Sequence, residues 1–385
     1  MTEIRPFTIA TPQSDLDDLQ ARLALTRWAD ALPNDAAPPL DLPDGAQRPA
    51  GWQYGVPTEY VRELVEYWRN GYDWRTWEAR LNSYPQFTTT IDGQNVHFLH
   101  IKSTEPDALP LILTHGWPGS IVEYLNVIGP LTDPRAHGAD PDQAFDLVIP
   151  SLPGYGFSGP TTEPGWNNHR IAASWVELMG RLGYTRYGAV GNDAGSMISP
   201  EVGRLDPKSV VGVHVTQVFS FPSGDPAEFQ GLSEEEQAGL AVLNWFWQNL
   251  GAFNQLQSQQ PQTLAHALTD SPAGLLGWNS QLLGPELDND FVLTNTMTYW
   301  LTGTANSAIR LYYENARATP PTEPTTVPLG LAMAAGDFIS IRRLAERDHK
   351  NIVSWRRYPS GSHYAAHLEP EQLSNDVREF FRALR

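Results

Sequence analysis

From residue 110 onward, short continuous apolar runs alternate with helical stretches, and this alternation restricts the chain to one class of fold. Such a run has no polar side to turn toward water, so it fits a strand that is covered on both faces. The runs that predict strands are LPLILT (109–114), FDLVIPSL (145–152), YGAVG (187–191), VVGVHVT (210–216), LGLAMAAG (329–336) and IVSWRRYP (352–359). The pattern therefore predicts an α/β fold with a mostly parallel central sheet.

Residues 217–325 interrupt this alternation between the fourth and the fifth predicted strand. The segment has helical patterns and many aromatic residues, as in NWFWQNLGAF. Open parallel sheets bind ligands at the carboxyl ends of their strands, and functional residues concentrate in the connections that follow. We therefore expect the segment to form a helical lid over that edge of the sheet.

The residues ahead of the sheet predict an N-terminal extension. A first helix is predicted near Ser14, which with Asp17 resembles a capping box. After a proline-rich linker (about 33–57), TEYVRELVEYWRN predicts an amphipathic helix and FTTTIDGQNVHFLHI predicts a hairpin with an Asp-Gly turn. The predicted division is an extension (1–100), a first core part (101–216), the lid (217–325) and a second core part (326–385).

The stretch GNDAGS (191–196) carries the first candidate for chemistry. It follows the apolar run YGAVG and leads into AGSMISPEVGRL, which is compatible with a helix. A sharp strand-to-helix turn that exposes a nucleophile needs small residues two before and two after it, and Gly191 and Gly195 meet that need around Asp193. An ordinary turn with a capping Asp fits the stretch too, so the assignment depends on the rest of the site.

Two backbone N–H groups are candidates for an oxyanion hole. HGWPGS (115–120) follows the first parallel strand, where elbow-type hydrolases place one such donor, and we assign it to Trp117. The second donor is the residue after the nucleophile, Ala194. Together these groups would stabilise a tetrahedral intermediate at a carbonyl carbon.

Asp337 and His363 are the candidates for an acid–histidine pair. Asp337 follows the strand LGLAMAAG, and His363 lies in the loop SGSHY after the last predicted strand. The order nucleophile, acid, histidine is the one that elbow hydrolases use. Asp225, shortly after VVGVHVT, is a second candidate for the acid.

A carboxylate at the elbow suits substrates with a saturated electrophilic carbon. Attack by Asp193 on such a carbon gives an ester, which a histidine-activated water then hydrolyses. Epoxides and alkyl halides both qualify, and the leaving group separates them. An alkoxide needs a proton donor, for which the stretch 299–315 offers Tyr299, Tyr312 and Tyr313, whereas a halide needs only N–H donors such as Trp.

The whole set of motifs resembles the microsomal-type epoxide hydrolases. The resemblance rests on WRNGYDWRTWEARLN, HGWPGS, GNDAGS, YWLTGTANSAIRLYYEN and SGSHYAAHLEP, and it extends over nearly the whole chain. It implies an α/β-hydrolase fold with an extra N-terminal region and no cofactor. It also implies that Asp193 is the nucleophile, that Asp337 and His363 form the charge relay, and that Tyr312 is the proton donor of the lid.

The sequence departs from this family at one position in the lid. The family presents two lid tyrosines to the epoxide oxygen, but Phe253 stands where the first is expected, and residues 217–298 contain no tyrosine. Trp245, Trp247 and Gln248 are candidates for a replacement donor. With Phe253 these residues would also bind a bulky, flat, apolar epoxide, although the aromatic side chains suit packing within the lid equally well.

Charge and composition exclude several partners. The formal net charge of −18 and the absence of Lys/Arg clusters argue against nucleic acids and anionic membrane surfaces. There are no cysteines, so thiolate sites are excluded. His97 and His100 would point to opposite faces of a strand, and we predict no metal site. The first residues do not resemble a signal peptide, and no apolar run approaches the ~20 residues of a bilayer span, so a cytoplasmic location is expected.

The sequence thus predicts a cofactor-independent epoxide hydrolase that acts on an apolar or aromatic epoxide, in detoxification or in natural-product biosynthesis. A haloalkane dehalogenase is the nearest alternative, and halide release from a haloalkane would favour it. A non-catalytic binding protein is the second, and retention of an unaltered ligand would favour that. A homodimer is compatible with the sequence, which fixes neither substrate nor stereochemistry.

Overall fold

The computed structural model describes residues 3–32 and 51–385. Most of the linker predicted at 33–57 lies outside these residues. The strands of the described part are β1 (Arg5–Pro6), β2 (Gln86–Ile91), β3 (Gln94–Ile101), β4 (Leu109–Thr114), β5 (Phe145–Pro150), β6 (Tyr187–Gly191), β7 (Val210–Val215), β8 (Leu329–Met333) and β9 (Ile352–Arg357). Its helices are α1 (Gln13–Ala24), α2 (Thr58–Asn70), α3 (Trp74–Asn82), α4 (Leu125–Thr132), α5 (Asn168–Arg181), α6 (Ala194–Leu205), α7 (Glu234–Asn249), α8 (Ala252–Gln259), α9 (Pro261–Asp270), α10 (Pro272–Leu283), α11 (Asn289–Thr302), α12 (Ala305–Asn315), α13 (Arg342–Asp348), α14 (Ala365–Leu368) and α15 (Pro370–Arg382).

The described strands form one sheet in the order β1-β2-β3-β5-β4-β6-β7-β8-β9. The strands β5, β4, β6, β7, β8 and β9 are mutually parallel, and the antiparallel β1, β2 and β3 extend the sheet at one edge. Residues of β4, β5 and β6 are buried along their whole length, as expected for strands covered on both faces. The α/β-hydrolase fold expected from the sequence is confirmed.

The strand bounds follow the apolar runs closely but not everywhere. The run 329–336 predicts a longer strand than β8, which ends at Met333. The residues after Met333 leave the regular ladder to form the turn that carries Asp337. The N–H groups of Ala335 and Gly336 still donate to the carbonyls of Ser360 and Gly361, and an isolated bridge pairs Gly336 with Ser362. The regular strand therefore ends just before a candidate site residue.

Beyond the hairpin, the N-terminal region packs on the lid. Helix α2 has the predicted bounds and buries Leu64, Val65 and Trp68. The Trp68 indole donates to the sulfur of Met297 on α11 at 3.3 Å, and the Tyr67 hydroxyl donates to Asp290 at 2.8 Å. The N-terminal region thus holds the lid helix α11 in place through side-chain contacts with α2.

The capping box predicted at Ser14 is wrong. Helix α1 begins at Gln13 after Pro12, and no side chain caps its first turn. The Ser14 hydroxyl donates to Asp15 instead. Because Pro12 is extended and the helix starts one residue earlier, Ser14 lies inside the first turn, where its hydroxyl cannot act as the cap.

The central strands β4 and β6 are neighbours although three elements separate them in sequence. Their register pairs Thr114 with Gly191, so both strands end at the same level of the sheet. This is the point where strand order reverses, and such points form crevices in parallel sheets. The two loops predicted to carry the site, HGWPGS and GNDAGS, leave the sheet side by side.

Helices α7–α12 follow β7 in the chain. No helix of the described residues has the length and apolarity needed to cross a bilayer.

Candidate active site

Asp193 occupies a strained turn between β6 and α6. Its backbone has φ 54° and ψ −121°, and positive φ is unfavourable for a residue with a side chain. Neighbouring glycines allow the turn: a Cβ at Gly191 would collide with the backbone of Gly195, and one at Gly195 with the backbone of Thr114. Because strain of this kind persists only where the surroundings impose it, the turn has the character of a nucleophile elbow.

The loop after β4 approaches the same carboxylate. The Trp117 N–H donates to Asp193 Oδ1 at 2.9 Å, and a Cβ at Gly116 would collide with this oxygen. The N–H of Ala194 opens α6, where first-turn N–H groups have no carbonyl partner within the helix. The two predicted oxyanion-hole donors therefore flank the Asp193 carboxyl group.

His363 joins the two predicted carboxylates. Its Nδ1 lies 2.8 Å from Asp337 Oδ1, and its Nε2 lies 3.5 Å from Asp193 Oδ2. The Asp337 side chain is only 4% exposed and also accepts the Phe338 N–H at 2.7 Å. Asp225, the alternative acid, instead caps the turn at Pro226–Phe229 by accepting the Ala227 N–H.

The electrostatics of this group favour a charged histidine. Burial alone would lower the pKa of His363, but the carboxylates of Asp337 and Asp193 outweigh it and raise this pKa well above its usual value. In the absence of substrate, His363 is therefore held as a cation between two anions. Loss of either negative charge would lower its pKa.

Sequence reasoning missed Gln217, which lies just after β7 and is fully buried. Its Oε1 accepts the Asp193 N–H at 2.9 Å and the Ser196 hydroxyl at 2.8 Å. Its Nε2 donates to Asn192 at 2.8 Å and also to Asp337. One amide thus joins the turn at Asp193 to the Asp337 side chain. No local motif marks a glutamine for this position.

Glu123 is the second residue that the sequence did not indicate. It is buried beside the site, with one oxygen 3.4 Å from the Asn192 amide and the other without a hydrogen-bond partner. Burial raises the pKa of Glu123 to about 8, and the charge of Asp193 adds to this while His363 opposes it. Glu123 is therefore a neutral acid at pH 7, which limits the negative charge around the nucleophile.

The three candidate tyrosines have different surroundings. Burial raises the pKa of Tyr312 well above its usual value, and the charge of Asp193 adds to the effect. The buried Tyr299 hydroxyl donates to the carbonyl of Gly119. Tyr313 packs against Arg317, whose guanidinium carbon lies 3.4 Å from the centre of the Tyr313 ring.

Phe253, which stands where the resemblance leads us to expect a first lid tyrosine, lies beside Tyr312. It is buried on α8, and its ring centre is 6.1 Å from that of Tyr312 in an edge-to-face arrangement. Trp247 and Trp245 are half-buried on α7. Gln248 is exposed on the same helix and donates to Asn244 one turn away, so it does not line the site, contrary to the prediction. Its position on the helix directs it outward.

The predicted histidine pair belongs to the scaffold. The ring of His97 hydrogen-bonds Gln86 and Ser151, and that of His100 hydrogen-bonds Tyr184. In the ranges that the structure describes, no three His, Cys, Asp or Glu side chains are grouped so as to hold a metal ion.

Comparison with known sequences places this geometry in a family. Residues 4–124 match the sequence family described as epoxide hydrolase N terminus, and residues 110–292 match the alpha/beta hydrolase fold. A Stigmatella aurantiaca protein whose name assigns it to the epoxide hydrolases is 40% identical, over 99% of this chain and 86% of its own length. Epoxide hydrolase 1 of Sus scrofa is 30% identical, over 99% and 89%. The chain belongs to the epoxide hydrolase family.

Solved structures of epoxide hydrolases agree in fold over the whole chain. The Aspergillus niger epoxide hydrolase superposes with a TM-score of 0.84 at 30% identity, covering 100% of this chain and 97% of that one. The juvenile hormone epoxide hydrolase of Bombyx mori superposes with a TM-score of 0.87 at 27% identity, covering 100% and 95%. The chain is therefore a hydrolase of this family, and the fold agreement includes both its N-terminal region and its core.

Aromatic rings connect the lid of this epoxide hydrolase to an open groove. Successive ring centres lie 6.5 Å apart from Phe253 to Phe246, 5.4 Å from Phe246 to Trp247 and 6.1 Å from Trp247 to Phe221. Phe221 and Trp247 line an apolar groove of about 620 Å³ beside α7, together with Leu243. A chain of ring contacts thus links Tyr312 to the groove.

Proposed function

We propose that this epoxide hydrolase opens an epoxide to a vicinal diol through a covalent ester on Asp193. The observation that carries the proposal is the placement of His363 between Asp193 and Asp337, at 3.5 Å and 2.8 Å. A histidine so placed can serve both a nucleophile and a relay acid. The strained turn and the N–H groups beside the carboxylate support the same assignment.

In the first step, Asp193 Oδ2 attacks one ring carbon. The new carbon–oxygen bond forms as the ring carbon–oxygen bond breaks, and the electron pair remains on the ring oxygen. Tyr312 gives its proton to this oxygen. Burial keeps the Tyr312 hydroxyl protonated at neutral pH, so it is available as a donor when negative charge develops.

After ester formation, His363 releases its extra proton to solvent and becomes the neutral base of the second step, and it regains that proton from solvent when the charge of Asp193 returns. In the second step, His363 takes a proton from water, and the hydroxide adds to the ester carbonyl of Asp193. Trp117 and Ala194 N–H groups stabilise the resulting oxyanion. Collapse releases the diol, which takes the proton from His363, and the proton of the regenerated Asp193 acid returns to Tyr312. One oxygen of Asp193 now comes from water, and the overall reaction is addition of one water.

Ester formation itself prepares His363 for the second step. The negative charge of Asp193 helps to raise the pKa of His363 in the free enzyme. The ester is uncharged, so this contribution disappears when Asp193 is alkylated. His363 therefore becomes easier to deprotonate at the stage at which a base is needed.

We infer that the substrate is an apolar or aromatic epoxide. The rings of Phe253, Phe246 and Trp247 continue from Tyr312 toward the groove, and they offer flat apolar contacts for the part of the substrate remote from the epoxide. With this surface along the approach to Asp193, a small polar epoxide would leave most of the contacts unused.

The decisive experiment is intact-mass analysis of His363→Gln after incubation with a panel of aryl and alkyl epoxides. Removal of the base should stall the second step, so the protein should gain the mass of one epoxide, and peptide mapping should place it on Asp193. His169→Gln is the matched control, because His169 is exposed and pairs with Glu201 on α6. That variant should turn over like the wild type without accumulating an adduct.

A parallel single turnover of the wild type in ¹⁸O-water should leave one ¹⁸O atom in the Asp193 peptide. Diol formation without an adduct in His363→Gln and without label in Asp193 would exclude the ester. An adduct from alkyl halides only, with release of halide, would favour dehalogenase chemistry instead.

A further inference from the structure

We propose that the hydroxyl group of Tyr155 donates a second hydrogen bond to the epoxide oxygen, beside Tyr312, and so replaces the lid hydroxyl that Phe253 lacks. The inference rests on the function proposed above. It adds a catalytic residue from the core loop after β5 to a role that the sequence assigned to the lid alone.

The backbone on both sides of Tyr155 is fastened to the lid. The Gly156 N–H donates to the Thr304 hydroxyl at 3.0 Å, and the Ser307 hydroxyl donates to the Gly154 carbonyl. Thr304 caps α12 and Ser307 lies in its first turn. This is the helix that carries the proposed proton donor, so the loop and that donor have a fixed relation to each other.

The ring of Tyr155 is held in place, but its hydroxyl is unpaired. The residue is 1% exposed, and its ring packs edge-to-face on Tyr299 and His115 with centre distances of 6.1 Å and 5.7 Å. No group of the described residues hydrogen-bonds its hydroxyl. A buried hydroxyl without a partner destabilises the folded protein, because it has lost its hydrogen bonds to water. The Tyr299 hydroxyl, by contrast, is occupied by the Gly119 carbonyl.

The ring contacts of Tyr155 place it beside the reacting groups. One neighbour, His115, precedes Gly116, where a Cβ would collide with Asp193 Oδ1. The other, Tyr299, packs at 4.9 Å on the ring of Trp117, whose N–H donates to the same oxygen.

Burial raises the pKa of Tyr155 well above its usual value, and the Asp193 carboxylate adds to this shift. Tyr155 in turn raises the pKa of Tyr312. The hydroxyl is therefore protonated and within electrostatic reach of both the nucleophile and the proposed proton donor. A donor in this position, left without a protein partner, is available to a substrate oxygen.

During ring opening the two tyrosines have different tasks. Tyr312 transfers its proton to the departing oxygen, whereas Tyr155 keeps its proton and stabilises the developing negative charge through the hydrogen bond. Two donors of this kind stabilise an alkoxide better than one. No additional proton acceptor is required, because Tyr155 does not ionise in the cycle.

The test measures the rate of Asp193 alkylation by quenched intact-mass analysis of Tyr155→Phe in the His363→Gln protein, so that hydrolysis does not intervene. Two epoxides are compared: propylene oxide and its trifluoromethyl analogue, whose alkoxide is a weaker base. We expect a fall of about 10- to 10²-fold with propylene oxide and a clearly smaller fall with the fluorinated epoxide, because a weaker base gains less from the donor. Tyr187→Phe is the control, since Tyr187 is buried and its hydroxyl contacts Asp206 away from the site.

Rescue provides the second measurement. Phe253→Tyr, added to Tyr155→Phe, should recover at least part of the alkylation rate, because it restores a hydroxyl next to Tyr312 without changing the ring positions. An unchanged rate in Tyr155→Phe would overturn the proposal. So would an equal fall with both epoxides that Phe253→Tyr does not relieve, since that pattern indicates a packing role. Absence of any epoxide adduct while Tyr155 is intact would instead overturn the proposed function itself.

Discussion

The floor and the roof of the active site differ in how their polar groups are paired. The floor consists of Asn192, Asp193, Gln217, Asp337 and His363, and the roof consists of Tyr155, Phe246, Trp247, Phe253 and Tyr312. In the floor, each side-chain amide, imidazole and carboxylate has a partner at hydrogen-bonding or ion-pair distance. In the roof, rings contact rings, and the Tyr155 hydroxyl has no partner.

This difference corresponds to the two steps of the proposed reaction. Ester hydrolysis presents the same group to the floor whatever the substrate, so its donors and acceptors can be fixed in advance. Ring opening involves a leaving oxygen and an apolar body that change with the substrate. A surface of rings with one unoccupied hydroxyl accommodates such variation, since polar groups fixed to each other could not turn to a new ligand.

The largest expected effect comes from a substitution in the floor, which should slow the second step and leave the first nearly unchanged. In Asp337→Asn, hydrolysis of the Asp193 ester should fall roughly 10³- to 10⁴-fold, as when other relay acids are replaced by Asn, because His363 loses its orienting charge. Formation of the Asp193 ester should change little. Single-turnover intact-mass kinetics would show ester accumulation. Asp225→Asn is the matched control, and a comparable loss in that variant would identify Asp225 as the acid.

Tyr312→Phe, a substitution in the roof, should slow the first step and leave the second unchanged. Ester formation should fall roughly 10²-fold, because a proton donor contributes about that much or more to the departure of an alkoxide. Ester hydrolysis, followed after rapid alkylation of Asp193 with a reactive epoxide, should be unchanged. Tyr313→Phe removes the adjacent hydroxyl, which packs at Arg317, and should behave as the wild type. Equal slowing of both steps in Tyr312→Phe would contradict the division into floor and roof.

Gln217→Met should affect both steps, by about tenfold each, because the amide supports the nucleophile turn and the relay acid together. The variant leaves the Asp193 N–H and the Asn192 amide oxygen short of a buried partner, a loss of roughly 2–4 kcal/mol in the free energy of unfolding. Thermal unfolding and single-turnover kinetics measure the two effects. Gln248→Met, at an exposed glutamine of α7, is the control. If the Tm were normal and only one step were slowed, Gln217 would support either the Asp193 turn or Asp337, but not both.

The last prediction concerns Glu123, which lies next to the floor. It concerns the free energy of unfolding and not the rate of either step. Burial raises its pKa to about 8 from the usual 4.5, so between these pH values the folded protein keeps a proton that the unfolded chain has released. Through this group the free energy of unfolding falls as pH rises across that window. Glutamine does not ionise, so the Tm of Glu123→Gln relative to wild type should rise over the same window. A Tm difference that is independent of pH would mean that Glu123 is ionised in the folded protein.

The parts of the fold and site that were predictable share a local cause. The strands β4 and β6 have their predicted bounds because each is an apolar run ended by the turn residues that follow it. Asp193 could be found because its turn demands Gly191 and Gly195 within a few residues. His363 and Asp337 could be placed because the order of the strands fixes the loops that meet at the sheet edge.

The residues that were missed or misplaced depend on contacts between distant segments. Gln217 contacts Asp337, 120 residues away, and no pattern around it distinguishes it from other glutamines. The outward direction of Gln248 follows from how α7 rests on the core. Tyr155 acquires its unpaired hydroxyl only because Tyr299 and His115 enclose its ring.

The sequence by itself therefore determined the class of fold and indicated the candidate nucleophile and its candidate relay, since these follow from chain-local periodicity, turn chemistry and strand order. The tertiary structure alone decided which buried amide joins the two halves of the floor, which carboxylic acid stays neutral beside them, and which hydroxyl is left unpaired under the lid. Burial and pairing are properties of the packed molecule, because they depend on neighbours that the chain brings together only when it folds.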